Sequence, residues 1–154
     1  MTHDHRKLGV EFNNRGWELI EKGSARTPEE DREMLAVAHS SYTHWSKAGT
    51  AIHRYKAEMQ IARVYAELGH AQPALFHFNE GGRLYNEVEK DLAPFDIAFR
   101  EAIAARVHAL GQNPAEAELH YSRTERLAEA LEDDDDRRVV LADLKSGPWY
   151  GFKP

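Results

Sequence analysis

The most chemically varied stretch of the chain is AHSSYTHW, residues 38–45, which contains two imidazoles, an indole, a phenol and three hydroxyls. Imidazoles bind transition metals and transfer protons, and a hydroxyl beside an oriented imidazole can act as a nucleophile. On a helix, His39 and His44 point about 140° away from each other, because they are five residues apart. They therefore cannot bind one metal ion, since ligand pairs on a single helix are three or four residues apart.

A metal site would need ligands from other segments as well. His39 or His44, together with Glu58 and His77, would supply the imidazole and carboxylate ligands that a divalent transition metal prefers. The spacing Glu-x-x-His occurs once, in 67–70, whereas di-iron bundles use two such motifs and further glutamates. A metal-dependent helical enzyme or sensor is therefore the alternative interpretation, and it requires these side chains to converge.

The same stretch also has the pattern of a packing surface. Its apolar residues fall within one helical stripe about 100° wide, which contains Met34, Leu35, Ala38, Tyr42 and Trp45. Elsewhere the chain lacks a Gly-x-Ser-x-Gly elbow, a phosphate-binding glycine loop and a dinucleotide fingerprint. We therefore expect a protein that is not an enzyme and that uses no cofactor.

The overall composition restricts the partners. The chain has 20 Lys plus Arg against 26 Asp plus Glu, and the net charge of -6 disfavours binding to nucleic acid or to anionic membranes. It has no cysteine, which excludes disulfides, thiolate metal sites and a cysteine nucleophile. The start is charged and no apolar run approaches the roughly 20 residues of a membrane span, so we predict a soluble cytoplasmic protein.

Glycine, proline and capping residues divide the chain into six long helical segments and a short seventh one. The predicted helices are Asp4–Lys22, Pro28–Lys47, Thr50–Gly69 with its caps, a fourth with Pro73 in its first turn, Pro94–Gly111, Pro114–Leu131, and a seventh within DRRVVLADL. The acidic run 132–136 is interpreted as the start of the seventh helix rather than as a cation site. We predict one helical domain over 1–146 and an aromatic tail over 147–154, which packs on the body or on another chain.

The helices contain an internal repeat. Ala62, Tyr65 and Gly69 match Ala104, Val107 and Gly111, residues 74–78 match 117–121, and the pair Ala38 and Tyr42 repeats their small and aromatic positions. This pattern resembles the tetratricopeptide repeat, although the spacing of about 36 to 43 residues exceeds the usual 34 or so. The resemblance implies an all-α, tetratricopeptide-like array of three antiparallel helix pairs closed by a short helix.

Longer strings extend the pattern over nearly the whole chain: FNNRGWELIEK, RTPEEDREML, AHSSYTHWSKAGT, ARVYAELGHAQPAL, FDIAFREAIAARVHALG and LADL. Together they resemble a family of small, uncharacterised bacterial tetratricopeptide-repeat-like proteins. The resemblance implies the fold and a bacterial origin, and it assigns no catalytic residue. Members of that family are expected to have a cysteine near position 81, which this chain lacks.

In a tetratricopeptide stack, the first helix of each pair lines a concave groove. The resemblance places seven candidate ligand-binding residues there: Lys56, Met59, Arg63, Glu67, Arg100, Glu101 and His108. We predict an interaction module whose groove binds a peptide segment or a partner protein, with the cationic side chains as partners for carboxylates. Solvated charges that pair with nearby glutamates are the alternative for these residues. Self-association into a homodimer, through an end helix or the tail, is a further expectation.

Overall fold

The computed structural model describes residues 4–154, and the regular secondary structure within this range is entirely helical. The seven α-helices are α1 His5–Glu21, α2 Pro28–Ala48, α3 Ala51–Leu68, α4 Ala71–Val88, α5 Pro94–Leu110, α6 Pro114–Glu129 and α7 Asp134–Lys145. Short 3-10 turns occupy Gly23–Ala25 and Glu89–Asp91. The predicted all-α class is confirmed, and none of the helices in the described range is both long and apolar enough to cross a membrane.

Side-chain caps fix the starts of four helices. The Asp4 carboxylate accepts a hydrogen bond from the Lys7 amide at the start of α1, at 3.0 Å. The Thr27 hydroxyl accepts a hydrogen bond from the Glu30 amide at 3.2 Å, and the Glu30 carboxylate accepts one from the Thr27 amide at 3.1 Å, which completes the predicted capping box. The Asn113 side chain caps α6 by accepting from the Glu116 amide at 3.3 Å. Asp133 accepts a hydrogen bond from the Asp136 amide at 2.9 Å, so the acidic run does begin α7, as predicted.

The helices pack in sequential pairs, α1 with α2, α3 with α4, and α5 with α6. Helix α3 also contacts α1, α2 and α5, and α5 also contacts α4 and α7. As a result, α3 and α5 lie at the centre of the protein. Both are rich in buried alanine, which allows neighbouring helices to approach closely. Charged residues on α3 and α5 are therefore buried, and they need partners from other segments.

The register of the internal repeat differs from the predicted one by one residue in the first helices. The left-handed residue after α3 is Gly69, with a φ of 80°, but the left-handed residue after α5 is Gln112, with a φ of 59°, rather than Gly111. The amides of His70 and Asn113 then donate equivalent hydrogen bonds, each of 2.9 Å, to carbonyls of α3 and α5. Equivalent residues in the two copies are therefore 43 positions apart throughout.

This register pairs residues that the predicted alignment had separated. The equivalent positions are Glu58 and Glu101, Arg63 and Arg106, Tyr65 and His108, Pro73 and Glu116, and His77 and His120. The two arginines lie within the matching strings ARVYA and ARVHA. In four of the five pairs, both residues make polar or ring contacts with another helix. These contacts form the buried ion pairs and the two histidine groups described below.

The adjacent glycines of α4 face different surroundings. A Cβ atom at Gly81 would overlap the terminal methyl group of Met59 and would lie 3.4 Å from the Glu58 Cβ, whereas a Cβ at Gly82 would meet nothing within 4 Å. Helix α4 continues through both residues from Ala71 to Val88. Close approach to α3 therefore explains Gly81, and nothing in the structure explains Gly82.

We expect these two glycines to respond unequally to alanine. Gly82→Ala should raise the free energy of unfolding by about 0.5–1 kcal/mol, because alanine has the higher helix propensity. Gly81→Ala has the same gain in helix propensity, but its new methyl group must displace the end of the Met59 side chain, so this variant should be less stable than Gly82→Ala by about 1 kcal/mol. Urea denaturation of the two variants beside the wild type measures both effects. Equal stabilities of the two variants would contradict the packing assigned to Gly81.

Candidate functional site

An open cleft of about 600 Å³ lies between α1, α3, α5 and α7. Most of its wall is apolar or aromatic, with Trp17 and Phe99 in edge-to-face contact at 5.2 Å and Phe95 beside Phe99 at 5.6 Å. Its polar lining residues are Asn13, Glu21, Tyr55, Lys56, Arg63, Asp96, Arg100, Asp143 and Ser146. An apolar cleft of this size with a few convergent polar groups is typical of a ligand-binding site.

The predicted groove residues divide between the cleft and other places. Lys56, Met59, Arg63 and Arg100 line the cleft. Glu67 is buried in an ion pair with Arg63. The remaining two, Glu101 and His108, contact His120 of α6 and do not belong to the cleft lining.

Two buried polar atoms in the cleft lining have no hydrogen-bond partner: the hydroxyl of Tyr55 and the Nε of Arg100. Tyr55 is 1% exposed, and its burial raises the pKa of its hydroxyl, which therefore keeps its proton at neutral pH. The Arg100 guanidinium lies over the ring of Tyr85 at 4.2 Å and over Phe78 at 5.3 Å. A buried donor without an acceptor costs about 1–3 kcal/mol. The residues that line the cleft therefore include two buried donors without an acceptor.

Arg100 was among the predicted binding residues, whereas Tyr55 was not. Tyr55 begins a wholly buried stripe along one face of α3, which continues with Met59, Ala62 and Ala66. Such a stripe indicates packing. It does not indicate that the hydroxyl at its end would lack a partner.

A chain of alternating buried charges runs beneath the cleft, and we call Arg26, Glu67, Arg63, Asp143 and Arg106 the ion chain. Arg26 donates to the Glu67 carboxylate at 3.0 Å, and Arg63 donates to Glu67 at 2.6 Å and to Asp143 at 3.1 Å. Arg106 donates to the other oxygen of Asp143 at 3.1 Å. The side chains of Arg63 and Arg106 are 2% and 0% exposed. The donors of Arg63 are thus used within the protein, although Arg63 lines the cleft.

The ion chain shifts the pKa values of its members. Burial alone would raise the pKa of Asp143, but the charges of Arg63 and Arg106 hold it below its ordinary value. Burial and the neighbouring charge of Arg63 lower the pKa of Arg106 to about 10, so Arg106 remains protonated at neutral pH. Asp143 is therefore an anion held between two almost fully buried cations.

The aromatic tail, residues 147–154, packs on its own chain. The Trp149 ring covers the Arg106 guanidinium at 4.5 Å, and its indole N–H donates to the Leu144 carbonyl at 3.1 Å. The Tyr150 hydroxyl donates to the Ala66 carbonyl of α3. Arg106 also donates to the Ser146 carbonyl, at 2.9 Å. The tail therefore covers one end of the ion chain.

The stretch AHSSYTHW packs between helices, with histidines on both flanks. Ala38 and Trp45 are buried, and the Ser41 hydroxyl donates to the Gly9 carbonyl of α1 at 3.0 Å. The Nδ1 atoms of His44 and His5 are 2.8 Å apart, and this pair involves none of the other predicted metal ligands. His44 is therefore not part of a common site with them.

The other three predicted metal ligands do come together. The Nδ1 of His77 donates to the Glu58 carboxylate at 2.7 Å, and the rings of His39 and His77 are 5.5 Å apart. His39 Nε2 and the Tyr65 hydroxyl are hydrogen-bonded at 3.0 Å. Burial lowers the pKa of His39, and the nearby His77 lowers it further. In this geometry the histidines and the carboxylate hydrogen-bond to protein groups.

A second histidine group occupies the equivalent place between α5 and α6. His108 and His120 stack with their rings 5.4 Å apart, and Glu101 accepts a hydrogen bond from Nδ1 of His120. A carboxylate oxygen of Glu116 lies 3.5 Å from Nε2 of the same histidine. Within residues 4–154, this is the one trio of His, Asp or Glu ligand atoms that all lie within 4.8 Å of one another. This trio was not predicted from the sequence, although Glu116 and His120 have the i, i+4 spacing of helical metal ligands.

No protein-family model, curated protein or solved structure matches this chain. Membership of the bacterial family and the tetratricopeptide-like stack therefore stay predictions.

Proposed function

We propose that the protein is a non-enzymatic interaction module that binds an acidic, apolar peptide segment of a partner protein in the cleft between α1, α3, α5 and α7. The observation that supports this most strongly is that Tyr55 and Arg100 present buried, unpartnered donors in one apolar cleft. A carboxylate accepts hydrogen bonds from both kinds of donor, and a bond to a charged group is stronger than a neutral one. The aromatic wall would take the apolar side chains of the segment.

The cleft lining carries three cations and three carboxylates, those of Glu21, Asp96 and Asp143, so the preference for an anionic occupant comes from Arg100 alone. Arg63 is neutralised within the ion chain, and Lys56 lies 3.7 Å from the Asp96 carboxylate. Arg100 lies 3.7 Å from one oxygen of Glu101, and His120 donates to the other oxygen of that carboxylate. Lys56 and Arg100 are thus paired at the same distance, but Arg100 also has a buried donor without a partner, its Nε. A ligand carboxylate that reached this Nε would satisfy it.

The packing of the helices supports a tetratricopeptide-like stack as part of this proposal. In such a stack the first helices, here α1, α3 and α5, line the concave face, and these three helices contribute most of the cleft lining. On the resemblance to the bacterial family we also place the protein in the bacterial cytoplasm. Homodimerisation remains compatible with peptide binding, because the cleft is built from one chain.

Selection from a displayed library of random heptapeptides, followed by calorimetry with a selected peptide, tests the proposal. We expect selected peptides to combine a carboxylate with apolar residues. Arg100→Met should weaken their binding about tenfold or more, and Tyr55→Phe should weaken it less, since the neutral hydrogen bond contributes less. Arg83→Met is the matched control, because Arg83 is a largely exposed arginine of α4 outside the cleft lining.

Two results would contradict the proposal. Peptides that lack an acidic group, or peptides that bind Arg100→Met as tightly as the wild type, would remove the role of the unpartnered donors. Binding of octanoate in the absence of any selected peptide would replace the peptide with a small amphipathic carboxylate. Circular dichroism of each variant establishes that a loss of binding is not a loss of fold.

A further inference from the structure

We propose that His108, Glu116 and His120 form a binding site for a divalent transition metal ion, of which Zn²⁺ is the best fit. The three ligand atoms lie within 4.8 Å of one another, and all three residues are partly buried. A tetrahedral ion with ligands at about 2.0–2.1 Å places those ligands about 3.4 Å apart, so small side-chain rotations close the site. This inference is independent of the cleft and of its proposed function.

Local structure places the three ligands. His108 is in the last turn of α5, and the left-handed Gln112 together with the Asn113 cap turns the chain directly into α6. Glu116 and His120 are four residues apart on α6, so they share one face of that helix. That face meets α5 where the rings of His108 and His120 stack.

A carboxylate behind the site orients one of its ligands. Glu101 accepts a hydrogen bond from Nδ1 of His120, which fixes the proton on that nitrogen. The lone pair of His120 is then on Nε2, the nitrogen that faces Glu116 at 3.5 Å. Metal-binding histidines commonly donate their other N–H to a carboxylate in this way, and the bond raises the basicity of the ligand.

The donor set indicates the class of metal. Two imidazole nitrogens and one carboxylate oxygen suit Zn²⁺ and related ions, whereas Ca²⁺ and Mg²⁺ prefer oxygen ligands alone. The nearby carboxylates of Glu101 and Glu116 supply negative charge for a divalent cation.

The equivalent place between α3 and α4 provides an internal control. It keeps the carboxylate and imidazole pair, Glu58 with His77, at the same separation of 19 residues as Glu101 with His120. Tyr65 stands at the position of His108, and Pro73 stands at that of Glu116. His39 of α2 lies near His77, but its Nε2 is hydrogen-bonded to the Tyr65 hydroxyl, and among the described residues only His108, Glu116 and His120 form a trio of ligand atoms within 4.8 Å. A purely structural role of the carboxylate and imidazole pair would apply to both places, whereas metal binding would apply only to the place between α5 and α6.

Titration of the full-length, chelator-treated protein with Zn²⁺ and with Co²⁺ tests the proposal, using calorimetry and the visible absorption of bound Co²⁺. The background carries His3→Ala and His5→Ala, because histidines near the amino terminus can chelate metals; His3 lies outside the described residues. We expect one equivalent of metal. His108→Tyr and Glu116→Gln should weaken binding by more than about 100-fold, and Glu101→Gln should weaken it by about 10–100-fold.

The matched controls are Glu58→Gln and His77→Ala, which should leave the metal affinity unchanged. His108→Tyr installs the side chain that the first copy uses at this position, so it should preserve the fold, and its circular dichroism spectrum checks this. Equal affinity in the His108→Tyr variant and the background protein would overturn the proposal. So would an equal loss of affinity in the His77→Ala variant.

Discussion

Replacement of Asp143 with asparagine is expected to lower the free energy of unfolding by about 3–5 kcal/mol, because two buried arginines then lose their common counter-charge. Asp143 binds Arg63 through one carboxylate oxygen and Arg106 through the other, both at 3.1 Å. Arg63 and Arg106 are only 2% and 0% exposed, so little water is available to replace these bonds. Urea denaturation of Asp143→Asn beside the wild type measures the loss.

Asp135→Asn is the control for this prediction. Asp135 also lies on α7 and pairs with an arginine, Arg138, but both side chains are largely exposed. Exposed ion pairs contribute little to stability, so we expect no measurable change. A loss of less than about 1 kcal/mol for Asp143→Asn would show that water reaches the buried arginines and that the ion chain is weaker than its geometry indicates.

The pH dependence of stability provides a second test of the ion chain. The pKa of Asp143 is lower in the folded protein than the value of about 3.9 for an aspartate in an unfolded chain. A group with a lowered folded pKa stabilises the protein above its unfolded pKa, and this contribution is lost as the pH falls through the folded value. Between neutral pH and about pH 3, the wild type should therefore lose more stability than Asp143→Asn. Parallel curves would contradict the assignment.

Removal of the tail, residues 147–154, is expected to lower the free energy of unfolding by about 2–4 kcal/mol, since it uncovers buried groups and removes a large aromatic side chain. The truncation exposes the Arg106 guanidinium, which the Trp149 ring covers. It also leaves the Ala66 carbonyl without the Tyr150 hydroxyl. Thermal and urea denaturation of the truncated protein measure the effect.

A shorter truncation is the control for the tail. Removal of 153–154 alone deletes two exposed residues, and we expect it to leave stability unchanged. Sedimentation of both truncated proteins separates the two interpretations of the tail. A change in oligomeric state without a loss of stability would show that the tail packs on another chain rather than on its own.

Local signals explain why the helix positions were predictable. Thr27, Asn113 and Asp133 cap helices through residues three positions away, so their effect is visible in a short window of sequence. The ion chain was not predictable in the same way. Arg63 and Asp143 are 80 residues apart, and periodicity carries no information about which buried arginine meets which carboxylate. Arg63 was therefore predicted to bind a ligand, although its donors are used inside the protein.

The histidines illustrate a second limit of sequence analysis. The predicted ligands combined His39 or His44 of the stretch 38–45 with Glu58 and His77 from other segments. His39 does lie with Glu58 and His77, whereas His44 lies elsewhere. The trio His108, Glu116 and His120 was not predicted, because the alignment of the repeat paired Gly69 with Gly111. A glycine is the usual residue where a helix ends in the left-handed conformation, but Gln112 adopts that conformation after α5. The resulting error of one residue concealed the equivalence of Tyr65 and His108.

The shared carboxylate of Asp143 limits how this fold can grow by duplication. Each copy of the 43-residue unit contributes one buried arginine at the same position, Arg63 or Arg106, and each arginine takes one oxygen of Asp143. A third inserted copy would bring another buried arginine, and both oxygens of Asp143 are already used. A copy of the first unit would also bring Glu67, which pairs with the arginine of its own unit, whereas the second unit has Leu110 at that position. Lengthening of the array is therefore easier by duplication of the first unit than of the second, because only the first contains an acid for its arginine.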